Sequence, residues 1–162
     1  MTRPRGPQPP APMDWVLVAN AARARIFVRD PDNGALRELD DFVHPPSRQK
    51  GHELARDRGG HVMKSDASTQ LMPHTDPHDR EHLRFARELA EHLDTAALGH
   101  RMPGLVLMAS NPFLGVLRGQ LGAATTAKLR GSVALDLVRY EGPELERRVG
   151  EALAAHAARP AA

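Results

Sequence analysis

Cysteine is absent from all 162 positions, which removes disulfides, thiolate metal sites and a cysteine nucleophile together. Aromatic residues are scarce at 4%, so a core has to be assembled mostly from Leu, Val and Ala. No stretch of about 18 apolar residues occurs, and no membrane insertion is expected. The opening residues MTRPRGPQPPAP lack the apolar run of a secretory signal, which makes the cytoplasm the expected location. A large net charge is missing as well, the formal balance being +2. The basic residues are mostly Arg, a bias that base composition of a genome also produces, so their clustering carries more information than their number. No cofactor is implied.

What is present describes a folded domain. Hydrophobic residues at 41% and charged residues at 26% place the chain in the globular class, and its length is that of one domain able to bury a core. Residues 1–12 are Pro-rich and read as a disordered tail, residues 158–162 as another, with a single domain over 13–157.

Apolar runs and turn signals order the elements. The run DWVLVAN at 14–20 reads as a buried strand, and a second strand follows at 25–29. Asn33-Gly34 within DPDNG favours a tight turn into a third strand at 35–43. A helix is expected from Asp76, a good N-cap followed by Pro77 and Asp79. Phe85, Ala86, Leu89, Ala90, Leu93 and Ala97 then share one face, and Gly99 ends the helix. LVLMA at 105–109 is another buried strand. Asn111 and Pro112 can open a helix that Gly122 closes, a last strand is expected at 133–137, and an amphipathic helix at 143–157. This order predicts a three-layer α/β fold with a mixed, roughly five-stranded sheet: an antiparallel meander first, then βαβα, as in ribonuclease-H-like folds.

The span 44–75 departs from this regularity, with paired prolines, glycines, many charges and almost no apolar periodicity. So long a span within a domain is functional or disordered.

Several segments together resemble the bacterial host-attachment family: WVLVANAARARIFV in the opening strands, HPPSRQKGHELARDRGGH at 44–61, EHLRFARELAEHL at 81–93 and LVLMASNPFLGVLRGQL at 105–121, with Asp136-Leu137 beyond. The resemblance covers nearly all the chain between its tails. That family is in turn similar to the central domain of archaeal and eukaryotic peptide-release factors and of Pelota. In release factors the corresponding loop carries Gly-Gly-Gln, which enters the ribosome to promote hydrolysis of peptidyl-tRNA. Here the triplet is Gly59-Gly60-His61. The glycines match and the glutamine does not. Pelota-like proteins keep the fold without the triplet and do not hydrolyse, so the fold does not carry the chemistry with it.

The candidate sites follow. Arg48, Lys50, Arg56, Arg58 and Lys64, with His52, Gly59, Gly60 and His61, read as a basic finger able to follow an RNA backbone. The plain alternative is a solvated loop whose Asp and Arg residues pair locally. With no aromatic in the loop, base stacking there is not expected. His74, His78 and His82 recur at intervals of four. His78 and His82 share a helical face that could hold a metal, although the same phase brings His82 toward the Phe85 and Leu89 side. The turn at Ser110, Asn111 and Pro112 lacks the glycines of a nucleophile elbow, but the helix start at Asn111 and Phe113 could receive a phosphate. A metal-dependent nuclease needs converging carboxylates. Asp14 and Asp136 lie at strand ends and form no obvious pair.

Three functions are therefore expected. The first is a release-factor-like module engaging the ribosome or tRNA, with Arg56, Arg58 and Lys64 on phosphate and no catalysis of its own. The second, taken from the family's name, is a non-enzymatic protein influencing attachment to host cells or surfaces indirectly, from the cytoplasm. The third is a peptidyl-tRNA or ester hydrolase with His61 as general base.

Overall fold

The computed structural model describes residues 13–44 and 77–159. The fold is built outward from strand β1 (Trp15–Ala19), whose five residues are all buried, as its unbroken apolar run demands. On one side β1 pairs antiparallel with β2 (Arg23–Arg29), which pairs antiparallel with β3 (Leu36–Val43). On the other it pairs parallel with β4 (Leu105–Ala109), and β4 pairs parallel with β5 (Leu129–Ala134). The sheet order is β3-β2-β1-β4-β5. The protein is thus an α/β protein with a mixed five-stranded sheet, antiparallel at its start and parallel at its finish.

Successive strand side chains point to opposite faces, and this splits the apolar residues into two cores. Trp15, Leu17, Ala19, Ile26 and Leu107 face one way, against Phe85, Leu89 and Leu93 of helix α1 (Pro77–Leu98) and Phe113, Leu114 and Leu117 of helix α2 (Phe113–Gln120). Val16, Val18, Phe27, Val106 and Met108 face the other way, against Leu145, Val149 and Ala152 of helix α4 (Gly142–Ala157). The result is three layers, helix on sheet on helix. Every apolar position expected on the inner face of α1 is buried. Asp76, the expected cap, lies outside the described residues.

The β2–β3 connection shows why the Asp-Pro-Asp-Asn-Gly sequence turns. The Asp30 and Asn33 side chains accept from the N–H groups of Asp32 and Ala35, and Gly34 adopts φ 75°, a left-handed conformation that glycine tolerates without a Cβ penalty.

Four boundaries depart from expectation. The last strand is Leu129–Ala134, not 133–137. β5 is an edge strand with half-exposed residues, so it needs no apolar run, whereas Leu137, which gave the later segment its strand-like look, is buried in the second core. The helix expected to run to Gly122 ends at Gln120. A short helix α3 (Ala123–Lys128) then starts afresh, because both carboxylate oxygens of Asp94 accept from the Gly122 N–H, at 3.0 and 3.2 Å. Helix α2 begins at Phe113 with Pro112 in the cap position and no side-chain cap, so Asn111 does not cap it. The second strand begins at Arg23 rather than residue 25.

Candidate functional site at the carboxyl edge of the sheet

Strands β1, β3, β4 and β5 all end at one edge of the sheet, and that edge is where polar side chains from distant parts of the chain meet. The strand order reverses between β1 and β4: the chain runs outward from β1 through β2 and β3, then crosses to β4 on the other side. Open α/β sheets characteristically bind ligands in the crevice outside the carboxyl ends of strands at such a point. Here a cleft of about 680 Å³ lies at this edge, lined by Asn20, Ala22, Arg23, Val43, His44, Asp136, Val138 and Arg139.

Asn20 organises the cleft. Directly after β1, its Oδ1 accepts from the N–H groups of Ala22 and Arg23, both at 2.9 Å, which forms the tight β1–β2 turn. Its Nδ2 donates to Asp136 Oδ2 at 3.2 Å, across 116 residues of sequence. The Asp136 Oδ1 in turn accepts from the Val138 N–H. Arg23 forms a two-pronged pair with Asp41, at 2.9 and 2.7 Å. That hydrogen bonding raises the Arg23 pKa and holds the Asp41 carboxyl below its ordinary range.

The wall formed by Val138 and Arg139 is fastened from behind. Arg25 is buried, and its Nη1 donates to the carbonyls of Val138 and Tyr140 at 3.3 and 2.8 Å while its other nitrogens pair with Glu38. Arg139 donates to the Tyr140 hydroxyl at 2.7 Å. That bond, first among its causes, raises the Arg139 pKa, with the nearby Asp136 carboxylate adding to it.

His44 closes the opposite side. Its Nε2 lies 3.0 Å from Glu81 Oε2, with both residues buried, and its ring stacks on Phe85 with centroids 4.8 Å apart. Phe85 stacks on Phe113, and the edge of the His82 ring meets Phe113 at 6.3 Å. The point where the chain leaves β3 is therefore fixed to the first turns of α1.

The residues singled out from the sequence are distributed unevenly around this edge. His78 and His82 are ring neighbours at 6.5 Å on α1, and His82 is half-buried with its Nδ1 enclosed and unbonded. No group of three His, Asp or Glu side chains among the described residues could hold a metal ion. Asn111 is exposed, whereas the Phe113 side chain is buried in the core. The Leu114 N–H at that helix start already donates to the Ser110 carbonyl at 2.9 Å. Asp14 precedes β1 and pairs with Arg130 at 2.7 Å, while Asp136 follows β5, so these carboxylates stand at opposite ends of parallel strands. Arg48, Lys50, Arg56, Arg58, Gly59, Gly60, His61 and Lys64, along with His52 and His74, lie outside the described residues. Sequence reasoning passed over Asn20, Arg23, His44, Glu81 and Arg139. The available signal was positional, since Asn20 and His44 each stand immediately after a strand. No helix among the described residues is long and apolar enough to cross a membrane.

Fold and site together define a three-layer α/β protein with a polar cleft at the carboxyl edge of a mixed sheet. The chain belongs to the family described as proteins required for attachment to host cells, which matches residues 15–149. It is 29% identical over 113 residues to the uncharacterized protein RP470 of Rickettsia prowazekii (strain Madrid E), a match covering 68% of this chain and 71% of that protein. Among solved structures it is similar to an archaeal protein, at TM-score 0.42 and 12% identity over 90% of this chain. It is also similar to the PilM-PilN type IV pilus biogenesis complex, at TM-score 0.33 and 18% identity over 93% of this chain. The chain spans only 38% and 47% of those two structures' chains.

Proposed function

We propose that this host-attachment family protein is a cytoplasmic, release-factor-like module that engages the ribosome or tRNA through the basic segment 48–64, without catalysis of its own. The ribonuclease-H-like character of the layered sheet belongs to the same reading, and the order β3-β2-β1-β4-β5 with β2 antiparallel supports it. The observation that carries the reading is where that segment joins the body. The chain departs after His44 and returns at Pro77, and the His44–Glu81 contact ties the two junctions together at the carboxyl edge. Arg48, Lys50, Arg56, Arg58 and Lys64 between them offer charge for phosphate contacts, whose strength falls steeply with salt.

Co-sedimentation with ribosomes at low and moderate salt tests this, beside an Arg56→Ala, Arg58→Ala variant. Salt-sensitive binding that the variant loses supports the proposal and leads to a peptidyl-tRNA hydrolysis assay with His61→Ala. Absence of binding at either salt sinks it.

The family's description favours a second reading, in which the protein promotes attachment to host cells without touching them, acting from the cytoplasm. Fractionation of the producing cells separates the alternatives: a surface or secreted pool speaks for direct adhesion, its absence for an indirect role.

A further inference from the structure

The cleft at the carboxyl edge carries an assignment of its own, separate from the basic segment. Its polar groups come from three stretches of the sequence, 20–23, 43–44 and 136–139, and most are locked by protein partners before any ligand arrives. Asn20 is fixed by the β1–β2 turn and Asp136, Asp136 by Asn20 and the Val138 N–H, and Arg23 by Asp41 through Nε and Nη2. Such fixing removes much of the ordering cost that a ligand would otherwise meet.

Donor capacity remains after these bonds. A guanidinium has five N–H groups; Arg139 commits one nitrogen to the Tyr140 hydroxyl, and the Nη1 of Arg23 is left over from its pair with Asp41. The Asp136 carboxylate keeps lone pairs beyond the two bonds it accepts. Apolar surface sits among these groups: Val43 is 63% exposed, and Ala22 and Val138 line the same cleft. Fixed cations, a fixed carboxylate and an apolar wall together ask for a ligand with an anionic group, hydroxyl donors and a flat or apolar body. The volume of about 680 Å³ is within the range of small-molecule and cofactor sites, roughly 300–1,000 Å³, and exceeds what a lone anion fills.

We propose that this cleft binds a single ribonucleotide unit, with phosphate on Arg139 and the Nη1 end of Arg23, ribose hydroxyls on Asp136, and the base against the exposed Val43 side chain. The unit is either a free mononucleotide or one nucleotide of an RNA strand, since the recognition chemistry is common to both. The assignment does not depend on whether residues 48–64 meet a ribosome.

Calorimetric titration of the full chain with AMP, GMP, CMP and UMP, and separately with a short single-stranded oligouridylate, tests the proposal. Two surface variants accompany the native protein. Arg139→Ala removes one of the two phosphate contacts, and Val43→Glu places a negative charge on the apolar wall. Both positions are exposed, so each variant should fold, which a cooperative thermal unfolding transition close to that of the native protein checks. Binding of a mononucleotide that weakens at least about tenfold in both variants, a loss of about 1.4 kcal/mol, supports the site and makes free nucleotide the ligand. Binding of the oligonucleotide alone, weakened to the same degree in both variants, supports the site with RNA as the source. No binding of any probe up to about 1 mM, or binding that either variant leaves intact, overturns it. Because Arg56 and Arg58 are unchanged in this experiment, its failure and a failure of ribosome binding are told apart.

Discussion

His44 and Glu81, separated by 37 residues of sequence, meet inside the protein at 3.0 Å, one at the end of β3 and the other in the first turns of α1. Neither has water to fall back on, since both are buried. The contact therefore acts as a clasp between the two points where segment 45–76 joins the described fold, and the stack of His44 on Phe85 adds apolar contact to it.

Replacing Glu81 with Ala leaves the His44 ring nitrogen without a partner in a buried site. An unsatisfied buried polar group costs about 1–3 kcal/mol. The urea midpoint of Glu81→Ala should fall accordingly, and Glu81→Gln, whose amide still reaches the ring, should lose distinctly less. Equal losses in the two variants would show that the hydrogen bond contributes little.

Arg25 makes a second connection of this kind. It is the buried guanidinium that holds the Val138 and Tyr140 carbonyls and lies over the Phe27 ring at 4.9 Å. Hydrogen bonds to a charged group are worth about 1.5–3 kcal/mol, so Arg25→Ala should destabilise the protein by that order in chemical denaturation. It should also weaken binding of whichever nucleotide probe the cleft takes, because Val138 and Arg139 lose the support behind them, although Arg25 itself does not line the cleft. Unaltered stability would show that the tether is dispensable.

The Asp94 carboxylate serves Gly122 and Thr125 together. It accepts from the Gly122 N–H at 3.0 Å and from the hydroxyl of Thr125, which is fully buried. Asp94→Ala should cost about 1–3 kcal/mol by orphaning both donors. Thr125→Val in that background removes one orphan, so the double variant should be less destabilised than the sum of the singles. A double-mutant cycle in urea measures the coupling; strict additivity would contradict the geometry.

The Arg23–Asp41 pair sets a pH dependence. The hydrogen bond from Arg23 holds the Asp41 carboxyl below the ordinary aspartate range. A carboxyl depressed on folding stabilises the folded state above its unfolded pKa, and that contribution drains away as pH falls through the lower folded value. Both side chains are about a third exposed, at 34% and 38%, which limits the effect to roughly 1 kcal/mol or less. The stability difference between the native protein and Asp41→Asn should accordingly be constant from neutral pH down to about pH 5 and shrink below about pH 4. A gap that widens on acidification would mean the sign is wrong.

Much of the architecture is already written in the chain. The runs WVLVA and LVLMA can be satisfied only by burial on both faces, so they became the central strands β1 and β4. The spacing of Phe85, Leu89 and Leu93 allows only a helix to place all three in one core, and Asn33-Gly34 marks the β2–β3 turn because Gly34 has to be left-handed there. These are local effects, decided by burial and backbone sterics within a few residues. Tertiary structure decided what depends on distant partners. β5 has a weak apolar signal because its side chains are only partly buried, and only pairing with β4 makes it a strand. The start of α3 depends on Asp94, 28 residues before Gly122. The cleft is the plainest case: Asn20, Arg23, His44 and Asp136 look ordinary in sequence and acquire meaning only because strand pairing delivers their strand ends to one edge. Hydrogen bonds such as Asn20 to Asp136 act over about 3 Å in space and have no preferred separation along the chain, so no local pattern announces them.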